Sequence, residues 1–193
     1  MKKGRLEAFS DGVFAIIITI MVLELHVPHG DDIHDLLPML PVFVSYLLSF
    51  VNVGIYWNNH HHMLYATERV NGAVLWANLH LLFWLSLLPF ATAWMGENHF
   101  ARWTVVLYGV VLILCGLAYV ILCRLLIREA GPDSQLALAL GEDWKGRLSI
   151  AIYVVAVCLA FVDPRISLGL FVVVEVVWFI PDRRIEKRVS ELE

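Results

Sequence analysis

Charge is what this chain has least of. Only 17% of its 193 residues are Asp, Glu, Lys or Arg, against about 25% in an ordinary soluble domain. Cysteine is also sparse. Cys115, Cys123 and Cys158 all lie in apolar stretches, and an odd count there argues against a disulfide framework and leaves them as expected packing residues. There is no ATP-binding motif, no Gly-rich phosphate loop and no convincing internal repeat. The missing repeat weakens an inverted-repeat transporter, which needs two matching halves. The longest polar connection, "REAGPDSQLALALGEDWKGR", is too short to bury a soluble core. No small-residue cleavage site follows the first apolar block, so that block is expected to be a retained span, not a signal peptide.

What is present is apolar. Hydrophobic residues make up 60% of the chain, against roughly 45–50% by a similar count in soluble domains. They come in blocks long enough to cross a bilayer, at or above roughly 18–20 residues. The chain therefore reads as an all-α integral membrane protein, a single six-helix domain over residues 1–193.

Six spans are expected: about Arg5–Leu25, Leu36–Met63, Val70–Met95, Trp103–Ile127, Leu148–Val162 and Ile166–Ile180. Pro38 and Pro41 open the second, where a first helical turn tolerates them. Pro89 should kink the third near its far end. The last two spans are short, and one long tilted span is the rival reading. Charge decides between them. With the N-terminus in the cytosol, Lys2, Lys3, Arg5, Arg69, Arg124, Arg128, Lys145, Arg147, Arg183, Arg184, Lys187 and Arg188 fall inside, and only Arg102 and Arg165 outside. That asymmetry is the positive-inside pattern, so both termini are expected to be cytoplasmic in a multi-pass cell-membrane protein. Five spans would export the "DRRIEKR" tail.

Ionisable and polar groups inside a membrane are costly and mark function by default. Arg5, Ser10 and Asp11 sit at the start of the first span. Ser10 or Asp11 could cap the helix, or the three could form a buried network locking that span to its neighbours. "YWNNHHH", Tyr56 to His62, closes the second span. Adjacent helix positions point about 100° apart, so three consecutive histidines cannot all ligate one ion. Hydrogen bonding to Ser10 or Asp11 fits better, with Asn71, Asn78 and His80 able to join. Glu175 in "VVVEVVWF" has no evident partner. Glu24, Asp31, Asp32 and Asp35 gather at the outer mouth, where they either are simply solvated or raise local cation concentration. His26, His29 and His34 lie among them and would make that field depend on pH.

The first span divides by face. With Ile16 at 0° and 100° per residue, Ile20 falls at about 40°, Leu23 at 340°, Thr19 at 300° and Gly12 at 320°, while Asp11 falls near 220°. One side carries a polar group and the other a branched apolar stripe with one hydroxyl. By geometry alone, such a stripe is helix interface or lipid surface as readily as a functional lining.

Arg5, Phe9, Ser10 and Asp11 form an R-x-x-x-F-S-D motif. With "FSDGVFAI", "VLEL", "IYWNNHH" and "LSLLPFATA", it resembles the bacterial branch of the transmembrane protein 175 potassium channels. The resemblance implies a homotetramer whose four first spans line a central pore. It implies a constriction and hydrophobic gate at Ile16, Ile20 and Leu23, with Thr19 as a hydroxyl layer. It also implies a structural network of Arg5, Phe9, Ser10 and Asp11 with Trp57 and His61. No "TVGYG" filter occurs in this sequence or in that family, so preference for potassium over sodium should be modest. Permeant potassium and other monovalent cations, membrane lipid and the other subunits are the expected partners. No cofactor, metal, nucleic acid or enzymatic activity is expected. A proton-coupled transporter using Asp11, His80 and Glu175 as a relay is the alternative.

Overall fold

The computed structural model describes residues 3–67, 69–131, 134, 136–137 and 144–179, all of whose regular structure is helical. Lys2, Arg183, Arg184, Lys187 and Arg188, counted above for orientation, and Ile180 at the end of the sixth expected span lie outside the described residues.

The first helix, α1, runs Gly4–Leu23. Its N-cap is Lys3, so Ser10 and Asp11 sit well inside the helix and cap nothing. A 3₁₀ segment, Ile33–Met39, contains Pro38 and leads into α2, Leu40–Tyr65, with Pro41 in its first turn. The third expected span is two helices. These are α3, Gly72–Leu85, and α4, Leu88–Glu97. Pro89 has no N–H to bond the Leu85 carbonyl, and its ring would strike that carbonyl in a continuous helix. The chain therefore breaks at Ser86–Leu87, nearer the middle of the span than expected, and Ser86 Oγ donates to the Phe83 carbonyl at 2.7 Å.

A tight reversal with His99 and Phe100 both at positive φ, 51° and 59°, turns the chain into α5, Arg102–Ala130. At 29 residues, α5 is about 44 Å long and exceeds a hydrocarbon core of about 30 Å. The last two helices, α6 (Trp144–Leu159) and α7 (Pro164–Phe179), form a short hairpin. With α3 and α4 counted as one broken helix, this is the six-helix membrane layout. Four of the six are long and apolar enough to cross a bilayer by length and composition alone.

Helix α5 is the hub, packing on α3, α4, α6 and α7, while α2 links α1, α4 and α7. Lipid is as apolar as Leu, so small residues and polar pairs decide which helices meet. A Cβ on Gly96 would stand 2.7 Å from the Val42 Cα, so only glycine lets α4 approach α2 there. Ser49 Oγ lies 2.6 Å from Thr92 Oγ1 and 3.0 Å from the buried Tyr108 hydroxyl, joining α2, α4 and α5. Ser167 Oγ donates to the Ala156 carbonyl at 2.7 Å and ties α7 to α6. Cys115 and Cys123 are buried packing residues, whereas Cys158 is exposed and does not fit that expectation.

Candidate pore-lining site

Helix α1 touches the rest of the chain along one stripe only: Leu6, Ser10, Phe14, Ile17 and Met21 are its buried residues. The spacing of four, four, three and four keeps them on one side of a 3.6-residue helix. The opposite side is bare. Ile16 is 56% exposed, Ile20 42% and Leu23 76%. Thr19 shares this side. Ile18 packs partly against the core, so the two neighbouring isoleucines have different surroundings.

The Thr19 hydroxyl donates back to its own helix, with the carbonyls of Ala15 and Ile16 each 3.0 Å away. Its single O–H is thereby committed. What Thr19 Oγ1 offers to the open side is lone pairs, a surface for cations and not for anions.

Two separate polar contacts orient this helix, where one network was expected. In the first, the Trp57 indole N–H donates to Asp11 Oδ1 at 3.0 Å. His61 lies stacked on the Trp57 ring with centroids 6.0 Å apart. In the second, Asn78 Nδ2 donates to the buried Ser10 Oγ at 2.9 Å, and Asn78 Oδ1 lies 2.7 Å from His60 Nε2. That distance and the acceptor oxygen require the N–H tautomer at His60 Nε2. Phe14 packs against the His60 ring, centroids 5.5 Å apart.

Arg5 and Phe9 join neither contact; both are exposed. At 100° per residue they fall near 340° and 20°, on the Ile16 stripe, while Ser10 near 120° lies in the middle of the buried side and Asp11 near 220° beside it. The single chain thus leaves Arg5 pointing away from Asp11. The cation that anchors the start of α1 is Lys3, which sequence reasoning missed. Its Nζ donates to the carbonyls of Leu64 (2.6 Å) and Tyr65 (3.0 Å) at the end of α2, and lies 3.4 Å from Glu7.

His60 and Asn78 were within reach of sequence reasoning. Ser49, Val53, His60 and Leu64 are buried on α2 at steps of four, seven and four, so helical phase singles out His60 among the three histidines. Asn71 instead caps α3 through the Val74 N–H and bonds Glu129. His80 accepts from the Trp84 indole at 2.9 Å.

Beyond α1, Glu24 is half-buried, with its carbonyl 2.9 Å from His26 Nδ1. Asp32 accepts from the His34 N–H and Asp35 from the Asp32 N–H, forming a capping box. Two of the four acidic residues grouped at the outer mouth therefore have a local structural task.

Comparison with known proteins converges on one group. Residues 5–89 match the family model described as the endosomal/lysosomal potassium channel TMEM175. A potassium channel from Chryseobacterium sp. (strain P1-3) is 53% identical over 191 residues, 99% of this chain and all of that one. The crystal structure of a lysosomal potassium-selective channel TMEM175 homolog from Chamaesiphon minutus superposes with a TM-score of 0.78 at 30% identity, covering 92% of this chain and 96% of that one. The Homo sapiens endosomal/lysosomal proton channel TMEM175 is 32% identical over 114 residues, 53% of this chain and 22% of the human protein.

Proposed function

This chain belongs to the TMEM175 ion-channel family, and on that premise we propose that it is a potassium-permeable cation channel of the cell membrane, with both termini cytoplasmic. Four copies place α1 around a common axis, and the Ile16, Thr19, Ile20 and Leu23 side of each faces that axis. The observation that carries this reading is the bare apolar side of α1, with a hydroxyl committed inward to its own backbone.

Rings of Ile16, Ile20 and Leu23 form a narrow apolar passage that gates by dewetting. Thr19 oxygens supply a partial substitute for ion hydration, and Glu24 adds negative charge at the outer end. Without a carbonyl filter, discrimination between potassium and sodium is modest. Asp11 with Trp57 and His61, and Ser10 with Asn78, hold the rotation of α1. In the tetramer, Arg5 and Phe9 of the same motif meet a neighbouring subunit.

The test is potassium flux through the purified protein in liposomes, with native mass measurement in mild detergent. Passive current that follows the reversal potential, from a tetramer, supports the reading. Monomers alone, or no flux, would sink it. The proton-coupled alternative needs Asp11, His80 and Glu175 to exchange protons. Among the described residues, Asp11 is paired with Trp57 and His80 with Trp84, and Glu175 lies in a separate cavity. Uphill substrate movement driven by a proton gradient would favour that alternative.

A further inference from the structure

Away from α1, a cavity opens between α2, α5, α6 and α7. It measures about 40 Å³ for the centre of a water-sized sphere, where one water needs roughly 10–15 Å³. Three atoms the size of carbon or oxygen fit. Among the described residues that line it there is no Lys or Arg. Glu175 is buried and, among the described residues, makes no hydrogen bond or ion pair. Asn52 is 97% buried, its Nδ2 spent on the Tyr153 hydroxyl at 3.4 Å, and its Oδ1 bonds nothing.

Several donors on the wall are already committed. The Trp178 indole donates to Ser149 Oγ, Ser149 Oγ to the Lys145 carbonyl, and Asn59 Nδ2 to the Ile55 carbonyl. Facing the space are the Glu175 carboxyl and Asn52 Oδ1, both acceptors, and beside them the ring hydroxyls of Tyr56, Tyr119 and Tyr153, which can donate or accept. A buried carboxylate and a buried orphan oxygen are each costly, and one occupant can satisfy both.

We propose that this cavity is a binding site for a small primary alkylammonium ion, one per subunit, separate from the conduction path. An –NH₃⁺ group carries three donors and no acceptor. Two match the Glu175 carboxylate oxygens and the third Asn52 Oδ1. The short alkyl stem lies against Ile55, Val120 and Val174, and the aromatic wall of Tyr56, Tyr153 and Trp178 is the surrounding that favours an organic cation. Alkyl and aromatic surface makes up most of the wall, which suits an organic cation better than an inorganic ion with its full oxygen shell.

Ethylammonium, with three heavy atoms, is the probe. Thermal melting of the full-length protein in detergent is followed as ethylammonium chloride replaces sodium chloride at fixed ionic strength and pH. The melting temperature should rise with ethylammonium, and the part of that rise that depends on Glu175 should be missing with equal potassium. Glu175→Gln should weaken the effect on the order of 10- to 100-fold. Gly116→Val should weaken it too while leaving the carboxylate, because a Cβ at Gly116 already stands 3.1 Å from Ile150 and 3.8 Å from the Tyr56 hydroxyl.

Should either variant fail to fold, the wild-type protein decides: n-hexylammonium overfills the space and should bind more weakly than ethylammonium. Three results overturn the proposal. They are an ethylammonium shift unchanged in Glu175→Gln, an equal shift with potassium that Glu175→Gln also removes, and a protonated-carboxyl infrared band that persists at saturating ethylammonium. The second makes the occupant an inorganic ion and the third a proton.

Discussion

The α5 hub and the α1–α2 side are both apolar enough to span a membrane, yet they are covered very differently. In their most apolar 18-residue windows, α5 has 50% of its residues buried and the broken α3–α4 helix 44%; α1 has 28%, and the 3₁₀ segment with α2 has 22%. Apolarity in a membrane chain says that a residue avoids water and does not say what covers it. Coverage follows from small residues and polar pairs. Helix α5 presents Gly109 against Val157 and Phe171, and Gly116 against Ile150. The bare side of α1 presents branched side chains and one hydroxyl, which suit rings around an axis better than close packing within a subunit.

This contrast should appear as a series in which the stability cost falls while the effect on ion flux grows. Leu122→Ala, in the fully buried face of α5, should cost about 2–5 kcal/mol, read as a large drop in melting temperature with loss of folded protein. A neutral result there would mean that α5 is not the hub.

Asn78→Ala should cost about 1–3 kcal/mol by leaving Ser10 and His60 unpartnered in the interior. Asn78→Asp keeps an acceptor for His60 and should recover part of it. If both variants melt alike, the amide has no part in holding α1.

Asp11→Ala should cost about 1.5 kcal/mol, the low end for a hydrogen bond to a charged group. Its partner is the neutral Trp57 indole, not Arg5, so the figure lies below the roughly 3–5 kcal/mol of a broken buried ion pair. Assembly should suffer more than selectivity. A stable Asp11→Ala tetramer with normal conduction would remove the anchor role.

Ile16→Asn, on the bare stripe, should change stability by less than about 0.5 kcal/mol. In the proposed pore four amides would bond water at the constriction, so cation leak should rise and preference for potassium fall. Ile18→Asn, about 200° away, should disturb packing without opening the pore. The reverse outcome would redraw the pore stripe around Ile18. Smallest of all is Thr19→Val. It should leave melting unchanged and reduce potassium conductance, and an undiminished conductance would show that the hydroxyl oxygen does not meet the ion.

The six-helix layout was legible because apolar blocks and breakers are local features. Pro89 announced the break before α4, and Pro41 the start of α2. The division of α1 into two faces followed from a 100° step, and the likeness of "FSD" and "YWNNHH" to a known family brought Asp11 and Trp57 to notice together. Pairing across helices was not legible. Arg5 and Asp11 share a motif, and only helical phase shows that they point apart. Asn78 could have met Asp11, Ser10 or a histidine, and the offset between α1 and α3 settles it. The Glu175 cavity has walls from four helices, so no single stretch of sequence announces it.

The contact of Lys3 with the end of α2 also has a mechanical meaning. It pins one end of a rod about 30 Å long, while the far end, Leu23, continues into the irregular segment before Ile33. The polar ties of α1, at Lys3, Ser10 and Asp11, all lie in the half nearer that end, and the half beyond them is held by apolar packing, so the rod is built as a lever. A tilt of about 5° would carry Leu23 roughly 2.5 Å sideways and Ile16 roughly 1.7 Å. In the proposed tetramer the Leu23 ring would be the wide swing of the arm and the Ile16 ring the stiffer throat. Distances between spin labels on opposite subunits should spread more at Leu23 than at Ile16 between conducting and closed states. Equal spreads would mean that the rod slides as a whole and that Lys3 is no fulcrum.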